Sequence, residues 1–102
     1  MLYGSWRITK VIDKNGNETE HLDLVVTFSK GSYDTDSIGD LSYQEWGQSG
    51  AERGVYYYNK DKNQLTWDIF EASGIYLIKR LTNKRLVLFD TLDRYTIEFA
   101  KL

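Results

Sequence analysis

Acidic residues recur in one segment of the chain at spacings that a calcium-binding loop uses. Asp34, Asp36, Gly39 and Glu45 occupy positions one, three, six and twelve of that loop, which needs oxygen ligands around a sharply turning glycine. Ile38 occupies a ligand position and offers no oxygen, and the flanking residues have the pattern of strands and loops where the motif needs helices. An ordinary turn between short strands explains the same residues, so we predict no metal site.

The only histidine, His21, is the next candidate for chemistry. It has acidic neighbours, and nearby carboxylates raise the pKa of an imidazole and favour its use as a base. Adjacent residues of a strand face opposite ways, however, and no motif ties a serine nucleophile to this histidine. The chain has no cysteine, which excludes thiol nucleophiles and thiolate metal sites. Without a paired acid and base, we predict no catalytic residue, no enzyme activity and no cofactor.

Charge is segregated along the sequence. Positions 79–85 carry four basic residues and no acid, whereas positions 31–52 carry no Lys or Arg and five acids, namely Asp34, Asp36, Asp40, Glu45 and Glu52. Either these segments form patches that orient a charged partner, or they are solvated faces and loop tips, which is the favoured interpretation. The net charge of −2 argues against a general nucleic-acid binder. No apolar run approaches the roughly 20 residues of a membrane span.

Turn signals separate short segments along the whole chain, which predicts an antiparallel β-meander. The strongest is Asn15-Gly16, because both residues accept positive φ. Residues 32–46 form either one long bent strand or two short strands around Ile38-Gly39-Asp40. The other predicted strands are Gly4–Asp13, Leu22–Phe28, Val55–Asn59, Gln64–Phe70, Ile75–Leu81, Arg85–Phe89 and Arg94–Lys101.

Closure of this sheet removes its exposed edges, so we predict an all-β, antiparallel up-and-down β-barrel of about eight strands, with an open sandwich as the alternative. The length predicts that residues 1–102 form a single domain.

Aromatic residues are abundant, with three Trp, eight Tyr and four Phe. Strand alternation favours an inward-facing set made up of Trp6, Phe28, Trp67, Tyr95 and Phe99. Each ring buries on the order of 150–250 Å², and an eight-stranded barrel is just wide enough to be filled by side chains or to hold one small ligand. The aromatic content therefore fits a narrow ligand cavity and a fully packed interior equally well.

The opening Gly4-x-Trp6, followed by many short strands, resembles the small bacterial lipocalin-like (calycin-type) domains. The similarity extends over nearly the whole chain, and the pieces that carry it are Phe28-Ser29-Lys30-Gly31-Ser32-Tyr33, Gly54-Val55-Tyr56, Leu65-Thr66-Trp67, Tyr76-x-Ile78-x-x-Leu81-Thr82, Leu86-x-Leu88 and Tyr95-x-x-Glu98-Phe99-x-Lys101. The chain is much shorter than a typical eukaryotic lipocalin and lacks the C-terminal helix of those proteins. The resemblance implies a buried Trp6 that plugs one end of the barrel, with Arg94 over its indole and Arg85 as the second choice.

The favoured function is a non-enzymatic module that binds a small amphipathic or aromatic molecule. We expect the Gly47–Gly54 loop to act as a mobile lid. The candidate ligand-binding residues are Tyr33, Tyr43, Trp46, Tyr57, Trp67 and Tyr76. The alternative is a protein-interaction or inhibitor-type accessory domain of the bacterial cell envelope that works through its outer surface. The compartment is the periplasm or the outer membrane if a leader was removed, and otherwise the cytoplasm.

Overall fold

The computed structural model of the protein describes residues 2–20, 24–31, 37–45, 50, 52–69 and 73–102. This part of the chain contains β-strands and no helix. It also offers no helical segment with the length and apolar character needed to cross a membrane. The strands are β1 (Gly4–Ile12), β2 (Glu18–Glu20), β3 (Leu24–Ser29), β4 (Ile38–Glu45), β5 (Glu52–Asn59), β6 (Gln64–Ile69), β7 (Gly74–Leu81), β8 (Arg85–Asp90) and β9 (Thr96–Lys101).

Eight of these strands form a closed antiparallel barrel. Each of β3 to β8 pairs with the next strand in sequence, and β1 pairs with both β3 and β9, which closes the barrel. The up-and-down barrel that the turn spacing predicts is therefore confirmed. The remaining strand, β2, was not predicted, because its polar Glu-Thr-Glu sequence shows no apolar alternation. It pairs with the second half of β1, at Lys10–Ile12, beyond the stretch that pairs with β3.

The barrel has two ends, which we name by the direction of β1. The lower end is where β1 begins, and it also holds the β5–β6 and β7–β8 turns. The upper end is where β1 ends, and it also holds the β4–β5, β6–β7 and β8–β9 connections. Each strand runs from one end of the barrel to the other and so contributes residues to both ends. Cross-strand partners point to the same face of the sheet.

The interior is filled by one apolar cluster. Its fully buried members are Trp6, Val26, Phe28, Leu41, Tyr56, Leu65, Ile69, Leu86, Leu88 and Phe99. Of the predicted inward set, Trp6, Phe28, Trp67 and Phe99 are buried as expected. The prediction for Tyr95 is wrong, because its side chain is 40% exposed. It lies in the β8–β9 connection, one residue before β9 begins, and so no strand pairing directs it inward.

The segment Ile38-Gly39-Asp40 is a strand rather than the turn that we expected. It opens β4 and is hydrogen-bonded between Ser29 of β3 and the Val55–Tyr57 stretch of β5. A strand rises about 3.4 Å per residue, so Asp40 and Glu45, positions seven and twelve of the calcium motif, lie about 17 Å apart. A calcium loop wraps both positions around one ion. The candidate residues 34 and 36 lie outside the described part of the chain, as does His21.

Candidate ligand-binding site

The lower end of the barrel is closed around Trp6. Its indole is fully buried, its Nε1 donates a hydrogen bond to the Leu2 carbonyl at 2.9 Å, and the Lys101 ammonium lies 4.4 Å from the ring centre. Lys101 Nζ also donates to the Tyr3 carbonyl. Gly4 leaves room for this lysine, since a Cβ there would lie 2.6 Å from Nζ. The buried plug that the Gly-x-Trp pattern predicts is confirmed, with every polar group of the indole satisfied.

The cation over this indole is a lysine, and not the arginine that we expected. Lys101 is the direct cross-strand partner of Trp6. Arg94 precedes β9 and lies at its upper end, close to Thr96, the partner of Ile12. Arg85 forms an ion pair with Glu98 at 2.8 Å on the outer surface. The register between β1 and β9 therefore decides which basic residue reaches the ring.

A chain of aromatic rings leads from the packed interior toward the upper end. Phe28 meets Tyr56 edge-on with ring centres 5.2 Å apart, and it lies 6.1 Å from the ring of Trp67. Trp67 in turn contacts Tyr76, with ring centres 4.7 Å apart and planes inclined at 48°. The last two rings come from neighbouring strands, β6 and β7. Offset pairs of this kind contribute about 0.5–1.5 kcal/mol beyond the area they bury.

Two glycines on the inner face make room for these rings. Gly39 is the cross-strand partner of Tyr56, and a Cβ there would lie 2.5 Å from the tyrosine ring. Gly74 is the partner of Trp67, and a Cβ there would lie 3.0 Å from the Tyr76 hydroxyl. The tip of Tyr76 thus covers Gly74 and brings its ring against Trp67.

Trp67 differs from Trp6 in the hydrogen bonding of its indole N–H. Its side chain is 7% exposed, and its buried Nε1–H has no hydrogen-bond partner among the residues that the structure describes. A buried donor without an acceptor costs about 1–3 kcal/mol. A small molecule with an oxygen or nitrogen acceptor would remove that cost. Within the described part of the chain, the aromatic cluster therefore leaves the Trp67 N–H without an acceptor.

Tyr76 lies beside this donor in an environment that keeps its hydroxyl neutral. Burial raises the pKa of Tyr76 to about 12, and the negative charges of Asp90 and Asp93 add to the effect. Asp90 is its direct cross-strand partner on β8. The phenol is thus protonated throughout the physiological range and can donate a hydrogen bond.

The remaining candidate residues differ in their placement. Tyr43 lies on the inner face of β4 and packs, half-buried, against the buried apolar cluster of the interior. Tyr57 does not line the interior, because it is 44% exposed on the outer face and borders an external groove of about 770 Å³. Tyr33 and Trp46 lie outside the described residues. The structure therefore brings together Trp67 and Tyr76, with Tyr43 on a nearby strand of the inner wall.

The end of the predicted Gly47–Gly54 loop is a strand rather than a lid. Glu52, Arg53 and Gly54 belong to β5 and pair with β4, and Gly54 also pairs with Ile69 of β6. A Cβ at Gly54 would overlap the Asp68 carbonyl, so the backbones of β5 and β6 pack closely there. Residues 46–49 and 51 lie outside the described part. The glycine that we placed in a loop instead serves close strand packing.

Sequence reasoning missed Asp90 and Gly74. Leu86 and Leu88 face the interior, and Asp90 continues the same alternation at the upper end of β8. Its Oδ1 accepts the backbone N–H groups of Leu92 and Asp93 at 2.9 and 3.2 Å. A carboxylate that continues an apolar alternation was the available signal. In the described part of the chain, no three acidic, His or Cys side chains come together in a way that could hold a metal ion.

No protein-family model and no curated protein matches this sequence. Two solved structures are similar in fold. One is an uncharacterised protein from Bacteroides eggerthii, with a TM-score of 0.74 and 10% identity over the whole of both chains. The other is a DUF4847 family protein from Bacteroides vulgatus, with a TM-score of 0.63, 12% identity, and coverage of 97% of this chain and 92% of that one. At these identities the similarity establishes the fold alone.

Proposed function

We propose that this protein is a non-enzymatic, lipocalin-like binding module that takes a small aromatic or amphipathic molecule at the upper end of its barrel. The observation that carries the proposal is the buried Trp67 N–H, which has no acceptor within the described part of the chain. It adjoins the neutral Tyr76 phenol, whose ring centre lies 4.7 Å from that of Trp67 and whose O–H can donate to the same ligand acceptor.

The packing of the barrel limits the size of the ligand. The lower and middle interior is filled by fully buried side chains such as Trp6, Tyr56 and Phe99. The proposed binding position is therefore the upper end, next to Trp67, Tyr76 and Tyr43. One or two rings is the size that this geometry favours, and a long lipid chain is not accommodated.

The test is a two-dimensional NMR titration that observes the tryptophan indole N–H groups while small aromatic compounds such as 2-naphthalenemethanol are added. We expect the Trp67 resonance to move downfield as its proton gains an acceptor, with Trp6 unchanged. Trp67→Phe should weaken binding about 2- to 10-fold, the equivalent of one neutral hydrogen bond. Trp6→Phe, at the closed end, is the matched control. No response at Trp67 to any compound would reject the proposal.

A second candidate, a protein-interaction domain, is favoured by one feature of the outer wall. Tyr57 and Ile75 are 44% and 46% exposed and lie in one cross-strand row on either side of Thr66. The neighbouring pair Leu77 and Phe89 extends this apolar strip. Exposed strips of this kind mark interaction surfaces.

This alternative has its own test. A photo-crosslinking amino acid at Tyr57 should give a protein adduct that disappears with Ile75→Lys, whereas the same probe at the exposed Arg7 of β1 should give none. Adducts at both positions, or an adduct that survives Ile75→Lys, would reject the outer strip as the binding surface.

A further inference from the structure

The inner wall of the barrel carries negative charge at its upper end. Asp90 shares its face with the buried Tyr76, because the two are direct cross-strand partners. It is only half-buried, and its Oδ1 is fixed by the two backbone N–H groups of the β8–β9 connection. The carboxylate is therefore held in place and partly open to the site.

Two further carboxylates share this inner face on the opposite side of the opening. Glu52 is the cross-strand partner of Tyr43, and Glu45 follows Leu41 and Tyr43 in the alternation of β4. Both are exposed at the upper rim. The rim thus places carboxylates on β4, β5 and β8 around the aromatic cluster.

Basic residues are distributed differently. At the upper end, Lys14 and Arg94 lie in exposed turns, and Arg53 lies on the outer face of β5, next to the inward Gly54. In the part of the chain that the structure describes, no inner-face position of the upper half is Lys or Arg. Lys101, which does face inward, is held over Trp6 at the lower end. The basic turn at Lys84 also lies at the lower end.

Among the described residues, the inner face of the upper end thus carries carboxylates and no basic side chain. Charges that line a low-dielectric cleft focus their field inside it and act more strongly than charges on an open surface. Burial is the main cause of the raised pKa of Tyr76, and the charges of Asp90 and Asp93 add to it.

We propose that the site is selective for charge: it binds cationic and neutral aromatic molecules and rejects aromatic carboxylates and sulfonates. An aromatic amine that also carries a hydroxyl group fits it best, with its ring against Trp67 and Tyr76, its hydroxyl oxygen as the acceptor for the Trp67 N–H, and its ammonium group toward Asp90. This inference rests on the proposed function and adds to it the chemical class of the ligand.

The test compares three probes that share a naphthyl ring and a hydroxyl acceptor and differ in charge: 2-amino-1-(2-naphthyl)ethanol, 1-(2-naphthyl)ethanol and 2-hydroxy-2-(2-naphthyl)acetate. Binding is measured from the Trp67 indole resonance at low and high salt. We expect the amine to bind on the order of tenfold more tightly than the carboxylate at low salt, and the ratio to shrink as salt screens the field.

Two substitutions locate the source of the selectivity. Asp90→Asn keeps the acceptor for the backbone N–H groups and removes the charge, so it should reduce the amine-to-carboxylate ratio about threefold or more. Glu52→Gln should reduce it less. Asp61→Asn makes the same charge change in the β5–β6 turn at the lower end and should leave the ratio unaltered.

The outcomes separate the two proposals. If the neutral alcohol binds but the amine and carboxylate bind equally, or the carboxylate binds more tightly, the charge selectivity is wrong and the binding function stands. If Asp90→Asn and Asp61→Asn alter the ratio equally, the inner carboxylates are not its source and the inference is wrong. If none of the three probes moves the Trp67 resonance, both proposals fail together.

Discussion

The two ends of the barrel each bury a tryptophan, and the two indoles differ in their hydrogen bonding. At the lower end, Trp6 is fully buried, donates its N–H to the Leu2 carbonyl and lies under the Lys101 ammonium. At the upper end, Trp67 is nearly as buried, but its N–H has no acceptor within the described residues. The Trp6 N–H has a hydrogen-bond acceptor, whereas the Trp67 N–H has none among the described residues.

The difference separates stability from function. A satisfied buried indole contributes its full area and its hydrogen bond to the free energy of folding, whereas an unsatisfied N–H subtracts about 1–3 kcal/mol from that contribution. Buried polar groups without a hydrogen-bond partner are few in native proteins. The lower end thus contributes more to stability, and the upper end is where we propose that a ligand binds.

The largest effect is expected from removal of the lower plug. Trp6→Ala should lower the free energy of unfolding by about 3–5 kcal/mol, because the ring leaves a cavity in a packed interior. In a domain of this size that corresponds to a fall in Tm of more than about 10 °C. Tyr57→Ala, on the exposed outer face, is the control and should change Tm only slightly. A small change for Trp6→Ala would contradict its role as the plug.

Gly39 and Gly74, the two glycines that make room for the aromatic rings, should also differ in how much stability an alanine substitution costs. Gly39→Ala should cost about 1–3 kcal/mol, because the new methyl group meets both the Ser29 carbonyl and the Tyr56 ring. Gly74→Ala should cost less, since it meets only the tip of Tyr76, which can shift toward the open end. Denaturant unfolding of both variants checks this order. Equal or reversed costs would show that the upper end is packed as rigidly as the lower middle.

A matched pair of substitutions isolates the two N–H groups. Trp6→Phe breaks a satisfied hydrogen bond and leaves the Leu2 carbonyl without its donor, whereas Trp67→Phe removes an unsatisfied donor. Both lose similar ring area, so Trp6→Phe should be more destabilising, by about 1–3 kcal/mol. If Trp67→Phe is the more destabilising of the two, its N–H has a partner in the free protein.

The upper end should also respond to alkaline pH. The pKa of Tyr76 is raised from 10.0 to about 12 in the folded state, so the native protein holds one more proton than the unfolded chain between those values. Stability should therefore fall as pH rises through this range. Tyr76→Phe should remove this component of the pH dependence, as thermal melts from pH 9 to 12 would show. An unaltered profile in the variant would contradict the raised pKa.

The smallest expected effect is that of calcium. The acidic segment that resembles a calcium loop includes an extended strand, so we expect excess calcium and a chelator to give the same Tm, because only a ligand of the folded state shifts it. A rise of several degrees with calcium would overturn the strand-based interpretation of Asp40 and Glu45.

Periodicity and turn chemistry were enough to predict the barrel. Alternation in β1, β3 and β6 placed Trp6, Phe28 and Trp67 inside, and the turn signals separated most of the strands at nearly the right residues. Both signals are local. Once the strands are known, the need to pair the free edges of the sheet leaves few possible strand topologies.

The sequence-based predictions were wrong where they depended on the register between two strands, or where the two faces of one strand carry similar residues. In Val55–Tyr58 every residue is apolar, so the sequence does not reveal that Tyr56 is inside and Tyr57 outside. A bulge near Thr9 of β1 and the register with β9 decide that Lys101, rather than Arg94, reaches Trp6. Pairing register is a long-range property, and the unsatisfied N–H of Trp67 is visible only once its neighbours are in place.

The most direct test of the central claim compares the two indole N–H groups in the same sample. We predict that 2-naphthalenemethanol, added to saturation, shifts the Trp67 indole proton downfield and slows its exchange with water, while the Trp6 proton, already bonded to the Leu2 carbonyl, does not change. Phe substitutions of each tryptophan assign the resonances. Equal responses at Trp6 and Trp67, or a Trp67 proton that is already shifted and protected in the free protein, would contradict the claim that the upper end holds an unfilled site.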